Sequence, residues 1–346
     1  MTLPPQDAVA KAMARALELA LQGPAGGANP QVGCVMLNPD GDVVAEGWHE
    51  GSGTPHAEIM ALNTLIGKGL DPRGLTAVVT LEPCSHTGKT PPCANALIEA
   101  GIAEVVYSVS DPGVGSGGSA LLSKAGIGVH GNVQHEAGIA LIEHWLHAIT
   151  SRRPWVTIKW AMSLDGRAAA ADGTSQWITS PTTRHQVHLD RSRHGAIAVG
   201  TGTLLADDPS LTAREPNGTL MAHQPHAVVV GSRNIPEGSR VLNHPSGVTH
   251  HPNHNLGELL DALFNQDITS LYVEGGPTLA SAFLSQKLVD EIHISVGPML
   301  LGGPQLAVGD LGITTMAEAL HLDIVGLERL ESDVVITARP RKKGAS

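Results

Sequence analysis

The stretch TLEPCSHTGKTPPC, residues 80–93, holds two of the chain's three cysteines, Cys84 and Cys93, in a loop of prolines and glycine. It directly follows LTAVVTL (75–81), a short apolar run that reads as a buried strand, and it runs into ANALIEAGI (94–102), which reads as a helix. AEVVYSVS (103–110) is then a second strand. Upstream, HAEIMALNTLIGKG (56–69) predicts a helix that opens on His56-Ala57-Glu58 and ends at glycine. VGCVML and DVVAEGW flank Asn38-Pro39-Asp40-Gly41, a hairpin signal. The N-terminal segment to Gly23 predicts an amphipathic helix with Val9, Met13, Leu17 and Leu21 on one stripe. Downstream, AGIGVHG (125–131) closes another helix–strand pair, and a helical stretch runs to about residue 149. This alternation implies a sheet with helices on its faces, an α/β/α domain over residues 1–149.

At 346 residues the chain is long for one core, and a length prior favours two domains. Ser151-Arg152-Arg153-Pro154 is short, charged and proline-terminated, which suits a boundary, and residues 155–340 form the second α/β domain. That half is strand-rich: VTIKWAM, GAIAVGT, HAVVVGS, SLYVEGG and EIHISVGPML are apolar runs that each end near glycine or proline. Residues 215–226 and 243–256 read as surface loops. The formal charge of −11, from 22 basic and 33 acidic residues, argues against a non-specific nucleic-acid binder but leaves room for a small anionic ligand. No apolar run is long enough to span a membrane, and the N-terminus lacks the pattern of an export signal. With an odd cysteine count, the expectation is reduced thiols in the cytoplasm.

The chemistry concentrates on His56, Glu58, Cys84 and Cys93. Two thiolates and an imidazole are zinc ligands, and three of them leave a fourth position open, the catalytic arrangement. Zinc lowers the pKa of a bound water, so hydroxide is available near neutral pH, and Glu58 is placed to shuttle its proton to a leaving amine. The H-x-E … P-C-x(n)-C layout is that of zinc deaminases, which usually have two residues between the cysteines. Here the gap is eight. Cys34, inside a strand pattern, reads as packing.

In the second half no G-x-G-x-x-G follows a strand. LYVEGGPTLASAFL (271–284) instead offers a strand, Gly275-Gly276 and a helix start that can hold a pyrophosphate. Asp165, in SLDG, reads as a loop residue capping backbone. The three-histidine run THHPNHN (249–255) reads as a solvated loop, not as a second metal site.

His-Ala-Glu followed by P-C-S-H-T-G-K-T-P-P-C, together with ANPQVGCVML (28–37) and EGWHEGSGTPHAE (46–58), resembles the deaminase domain of the bifunctional riboflavin-biosynthesis deaminase–reductases. KWAMSLDGRAAAADGTSQWIT (159–179), VGTGTLLADDPSLTAR (199–214) and VEGGPTL (273–279) resemble the reductase domain of the same family. The resemblance implies a cytidine-deaminase-like domain followed by a dihydrofolate-reductase-like domain that uses NADPH. It implies that zinc sits on His56, Cys84 and Cys93, with Glu58 catalytic and Asn29 against the base. His49, His86 and Lys89 are either ligands of a substrate phosphate or solvated loop residues. Ala161, Trp177, Thr203, Asp207, Ser232 and the stretch Gly276, Pro277, Thr278, Leu279, Ala280, Ser281 and Ala282 fall at cofactor positions. Ser175, Arg191, Leu211, Arg214 and Glu274 fall at substrate positions, where the arginines can grip a phosphate. Two places depart from the family's pattern: residues 111–122 after Asp-Pro, and Gly231, where an aspartate is common.

The implied reactions are successive. Deamination of 2,5-diamino-6-ribosylamino-4(3H)-pyrimidinone 5′-phosphate is followed by reduction of the ribosyl group to ribityl, with a dimer or tetramer formed through the reductase domain. Three other readings stand beside this one: a general nucleoside or nucleic-acid base deaminase, a structural zinc protein with four protein ligands, and a family member with one silent domain.

Overall fold

The computed structural model describes residues 3–86, 91–113 and 115–341, so Lys89 lies outside the described residues. The chain divides between Arg152 and Arg153 into two units. The first unit runs α1 (Gln6–Ala20), β1 (Gly33–Leu37), β2 (Val43–Trp48), α2 (Ala57–Gly67), β3 (Thr76–Leu81), α3 (Cys93–Glu99), β4 (Glu104–Val109), α4 (Gly118–Lys124), β5 (Gly128–His130) and α5 (His135–Ser151). Its sheet has the order β2-β1-β3-β4-β5; β1 pairs antiparallel with β2 and β3, and the other pairs are parallel. The predicted hairpin is therefore present.

Alternation along the central strands builds two cores. Val35, Leu37, Val78 and Val106 pack on α1, whereas Cys34, Met36, Ala77, Val79 and Val105 pack on α2 and α3. Cys34 is fully buried there, as its strand position predicts. One expectation is corrected. The buried stripe of α1 is Val9, Ala12, Met13, Ala16, Leu19 and Ala20, and Leu21 lies past the helix end, exposed. A strict four-residue spacing drifts off a helix of 3.6 residues per turn, so the stripe must alternate steps of three and four.

The second unit runs β6 (Trp155–Ser163), α6 (Pro181–Ser192), β7 (Ala196–Gly200), α7 (Thr201–Asp207), β8 (His226–Val230), β9 (Val248–His251), α8 (Leu256–Phe264), β10 (Ser270–Val273), α9 (Pro277–Ser285), β11 (Glu291–Gly297), β12 (Leu322–Leu330) and β13 (Asp333–Pro340). The sheet order is β12-β13-β11-β6-β10-β7-β8-β9, parallel from β11 to β9 and antiparallel at β13 and β12. Part of the loop expected at 243–256 is thus the edge strand β9. Its polar residues satisfy backbone: His250 Nε2 donates to Gly231 O at 2.8 Å, and His251 Nε2 donates to Asn255 O at 3.0 Å.

Ile197, Val199 and Tyr272 pack on one face with Val187 of α6 and Leu204 of α7. Ala196, Ala198, Leu271 and Val273 pack on the other with α8 and α9. The connections after the neighbouring strands β7 and β10 thus leave to opposite faces. That opens a crevice at their carboxyl ends, the place where open α/β sheets bind ligands. Asp165 caps backbone as expected, accepting from Leu301 N at 3.1 Å and Gly302 N at 2.7 Å. Among the described residues, no helix is long and apolar enough to cross a membrane.

Candidate active sites

In the first unit three elements converge. His56 is the residue before α2, Glu58 lies in that helix's first turn, Cys84 follows the end of β3, and Cys93 opens α3. Chain folding fixes the backbone that leads into Cys84. Buried Glu82 accepts from Asp111 N at 3.1 Å and Ser119 N at 2.9 Å, tying the β3 end to the segment after β4 and to the first turn of α4. Gly118 packs so closely that a Cβ there would lie 1.7 Å from Pro83 O, which only glycine permits.

Among the described residues, the ligand atoms of His56, Cys84 and Cys93 form one cluster within 4.8 Å of one another. His56 Nδ1 lies 3.6 Å from Cys84 Sγ and 3.2 Å from Cys93 Sγ. Two ligands of a tetrahedral zinc, at roughly 2.3 Å for sulfur and 2.0–2.1 Å for nitrogen, sit about 3.5 Å apart. The donor set and its spacing therefore fit a zinc ion. Backbone N–H of Cys93 donates to Cys84 Sγ at 3.3 Å, which favours the thiolate. Contacts with Cys93, and then with His56, draw the Cys84 thiol down to about 4, whereas Cys84 and burial push Cys93 up. Two adjacent sulfurs share one negative charge easily and two only with a cation between them.

Glu58 is 3% exposed, and burial raises its pKa above the usual carboxylate range; its carboxyl group reaches Cys93. His49 packs edge-on against His56, with ring centres 5.3 Å apart. Its Nδ1 meets Pro55 O at 3.1 Å and its Nε2 meets Asn29 Nδ2 at 2.9 Å. The carbonyl can only accept, so Nδ1 carries the proton and Nε2 accepts from Asn29. Burial lowers the His49 pKa, which suits this neutral form. Both ring nitrogens are engaged, so His49 orients Asn29 here and does not present a phosphate ligand. His86 is exposed at the loop.

In the second unit Arg191 and Glu274 form a bidentate pair at 2.6 and 2.8 Å, both side chains under 15% exposed. The third Arg191 contact goes to Thr212 O at 2.9 Å. Arg191 is therefore committed to protein groups. The Arg214 guanidinium donates to Ser210 Oγ at 3.1 Å and has no carboxylate partner among the described residues, while the Arg214 backbone N–H donates to His188 Nδ1 at 3.3 Å. Burial alone would raise Glu274, but Arg191 holds its carboxyl below the usual range. His188, between the two arginines, is pushed down to about 4 by burial and their charge. Half-buried Lys159 of β6 lies among Glu274, Arg191 and Asp190, and desolvation lowers its pKa. A lysine inside the apolar run VTIKWAM was the available signal for it, and sequence reasoning passed over it.

The positions that the resemblance assigns to a cofactor divide by exposure. Thr203 Oγ1 accepts from Gly276 N at 3.0 Å across the crevice. Trp177 is 64% exposed with the Arg184 guanidinium 4.3 Å from its ring centre, Ala161 is half-buried on β6, and Asp207 and Ser232 are exposed. Pro277 and Thr278 are exposed at the start of α9 and Ala282 is half-buried, but Leu279 and Ala280 turn into the core. Ser281 Oγ accepts from Gly309 N at 2.9 Å. Leu211 is also buried, at φ +57°, and Ser175 is half-buried. A ligand can meet Leu211, Leu279 and Ala280 through backbone only.

Beneath this site His293 bridges two carboxylates, with Nε2 2.8 Å from Glu291 Oε1 and Nδ1 3.5 Å from Asp190 Oδ2. Burial alone would lower its pKa, but the two carboxylates outweigh that and raise it to about 9. The folded value exceeds the ordinary one near 6.5, so this stabilisation is complete below pH 6.5 and is lost as pH rises through about 9. Denaturant titrations at stepped pH should show the second unit losing on the order of 3 kcal/mol across that window. His293→Gln should flatten the profile; parallel profiles for the two proteins would refute the bridge.

The RibD C-terminal domain family matches residues 154–336. The cytidine and deoxycytidylate deaminase zinc-binding region matches residues 7–109. The riboflavin biosynthesis protein RibD of Mycobacterium tuberculosis is 46% identical, covering 89% of this chain and 90% of its own. That of Escherichia coli is 39% identical, covering 94% and 97%. The crystal structure of a diaminohydroxyphosphoribosylaminopyrimidine deaminase/5-amino-6-(5-phosphoribosylamino)uracil reductase from Thermotoga maritima superposes with a TM-score of 0.89 at 33% identity, covering 97% of this chain and 99% of that one. With a zinc-binding deaminase domain and a reductase domain on one polypeptide, the chain belongs to the RibD family of bifunctional riboflavin-biosynthesis enzymes.

Proposed function

We propose that the first unit removes the 2-amino group of 2,5-diamino-6-ribosylamino-4(3H)-pyrimidinone 5′-phosphate, and that the second reduces the ribosyl group of the resulting aminouracil to ribityl. The observation that carries this reading is the meeting of His56 Nδ1, Cys84 Sγ and Cys93 Sγ within 4.8 Å beside the buried carboxyl of Glu58. His56, Cys84 and Cys93 hold zinc, which when bound supplies a water of lowered pKa as nucleophile. Glu58 takes that water's proton and passes it to the leaving ammonia; its raised pKa suits both halves of the transfer. Asn29, held through one N–H by His49, keeps its carbonyl and second N–H for the pyrimidine edge.

In the second unit the crevice between β7 and β10 takes NADPH, which supplies the hydride. Thr203, Gly276, Pro277, Thr278, Ala161, Trp177, Asp207 and Ser232 border it, with backbone of Leu279 and Ala280 and the Ser281–Ala282 turn behind. Arg214 takes the substrate phosphate beside Ser175 and the Leu211 backbone. Glu274, fixed by Arg191, accepts from the sugar hydroxyls. Both sites keep their reacting groups, which favours two working domains over a family member with one silent. The three free cysteines accord with a cytoplasmic setting. The edge strand β12, with Ile324 and Leu327 two-thirds exposed, offers the second unit a face for self-association.

Metal analysis of the purified chain should give one zinc per polypeptide. A strong chelator should end ammonia release while leaving NADPH oxidation on the deaminated intermediate intact. Ammonia release that persists in metal-free protein would contradict the zinc assignment.

A further inference from the structure

Lys159 of β6 has His293 of β11 as its register partner, and Thr157, two residues earlier, lies between Tyr272 of β10 and Glu291 of β11. Strand alternation puts these five side chains on one face of the sheet, the face that α6 covers. Val273 pairs with Ile158, so Glu274 stands beside Lys159 on the side away from His293. Helix α6 brings Asp190 and Arg191 onto the same row. One ammonium is thus flanked by two acids, Glu274 and Asp190.

Each acid has its own cation. Arg191 grips Glu274 through two hydrogen bonds. Asp190 Oδ2 meets His293 Nδ1 and the Tyr272 hydroxyl, both at 3.5 Å, and Oδ1 accepts from Gln186 Nε2 at 3.1 Å. His293 is the one cation among those three, and the His293 and Asp190 side chains are 17% and 14% exposed. His194 spends its ring nitrogens on Asp190 O at 2.7 Å and Thr157 Oγ1 at 3.1 Å. The Lys159 ammonium, in contrast, makes no hydrogen bond or ion pair with any described residue, and Glu274 is the charge that acts on it most strongly. Its donors are left for the crevice, beside the carboxylate that faces the sugar.

We infer that His293 is a positioning residue for the reduction: by occupying Asp190 it leaves the Lys159 ammonium free to donate to the substrate beside Glu274. A carboxylate enclosed to this degree needs a cation beside it, because breaking a buried pair from one side leaves an uncompensated charge. Without His293, Arg191 is still committed to Glu274 and Thr212 O. Lys159 is the near cation with unused donors, and its flexible four-carbon stem lets the ammonium swing to Asp190. That swing withdraws it from the substrate. The inference rests on the reading of the second unit as the reductase.

The test follows NADPH oxidation by the full chain supplied with the deaminated intermediate, and compares kcat/KM across a set of variants. His293→Gln should lower it by about 10- to 100-fold, the range of a lost charge-assisted contact, while NADPH affinity and ammonia release stay within about threefold of the wild type. Lys159→Met should lose as much, and His293→Gln added to it should cost nothing further. Losses that multiply, as those of a merely structural residue would, overturn the inference, and so does wild-type reduction in either single variant. Adding Asp190→Asn to His293→Gln removes the acid that captures Lys159 and should restore kcat/KM to within about threefold. That pair of substitutions leaves no orphaned charge, so it keeps the test valid even where His293→Gln alone fails to fold. Persistent loss in it, with wild-type thermal melting, overturns the role of His293. A wild type that binds NADPH yet oxidises none with the intermediate overturns the reductase reading, and this inference with it.

Discussion

Replacing Glu58 by glutamine is expected to lower ammonia release by about 10²- to 10⁴-fold, because positioned proton transfer contributes on that scale. The substitution keeps the shape of the side chain and removes only its ability to accept and return a proton. Burial already favours the neutral form of Glu58, so glutamine should fit the first turn of α2 without loss of fold. The metal ligands are untouched, and zinc content should match the wild type. Reduction of the deaminated intermediate should continue at the wild-type rate, since that chemistry resides in the second unit. A loss below about tenfold would mean that another group moves the proton, against the scale expected of the shuttle.

Much of this first site was legible in the sequence, for a physical reason. Each ligand sits at the end of a regular element, and histidine, cysteine and glutamate are chemically distinctive there. His56 and Glu58 begin a helix, and Cys84 follows a run that could only be a buried strand. What escaped is the partner of each polar group. Nothing along the chain says that His49, 20 residues from Asn29, spends both ring nitrogens on orientation. The second site was less legible because its groups come together over long separations: Arg191 and Glu274 meet across 83 residues. Residue types at 279–280 also gave no sign that their side chains face the core, which depends on how α9 packs against β7 and β10. Edge strands β9 and β12 escaped because each lacks a buried face, so the alternation that betrays a strand is weak.

The second large effect is expected at the Arg191–Glu274 pair. Arg191→Leu would leave the Glu274 carboxylate buried without its bidentate partner, and breaking a buried pair from one side costs about 3–5 kcal/mol. Denaturant titration should show that loss in the second unit while the first unit's transition stays in place. Reduction should fall at least a hundredfold, because the carboxylate meant for the sugar is no longer held. Arg191→Leu with Glu274→Leu separates structure from function. Removing both charges should recover most of the stability, as apolar replacements of buried pairs often do. It should recover none of the reduction. If the single variant unfolds like the wild type, the pair is solvated and does not organise the site.

The most direct test of two working sites in series gives the purified chain only the diaminopyrimidinone ribosylamine phosphate and NADPH. Ammonia released and NADPH oxidised are then followed in the same tube. One equivalent of each per substrate is expected, with NADPH oxidation lagging ammonia and absent in Glu58→Gln until the deaminated intermediate is added. NADPH oxidation that runs at full rate in Glu58→Gln without that addition would contradict the account.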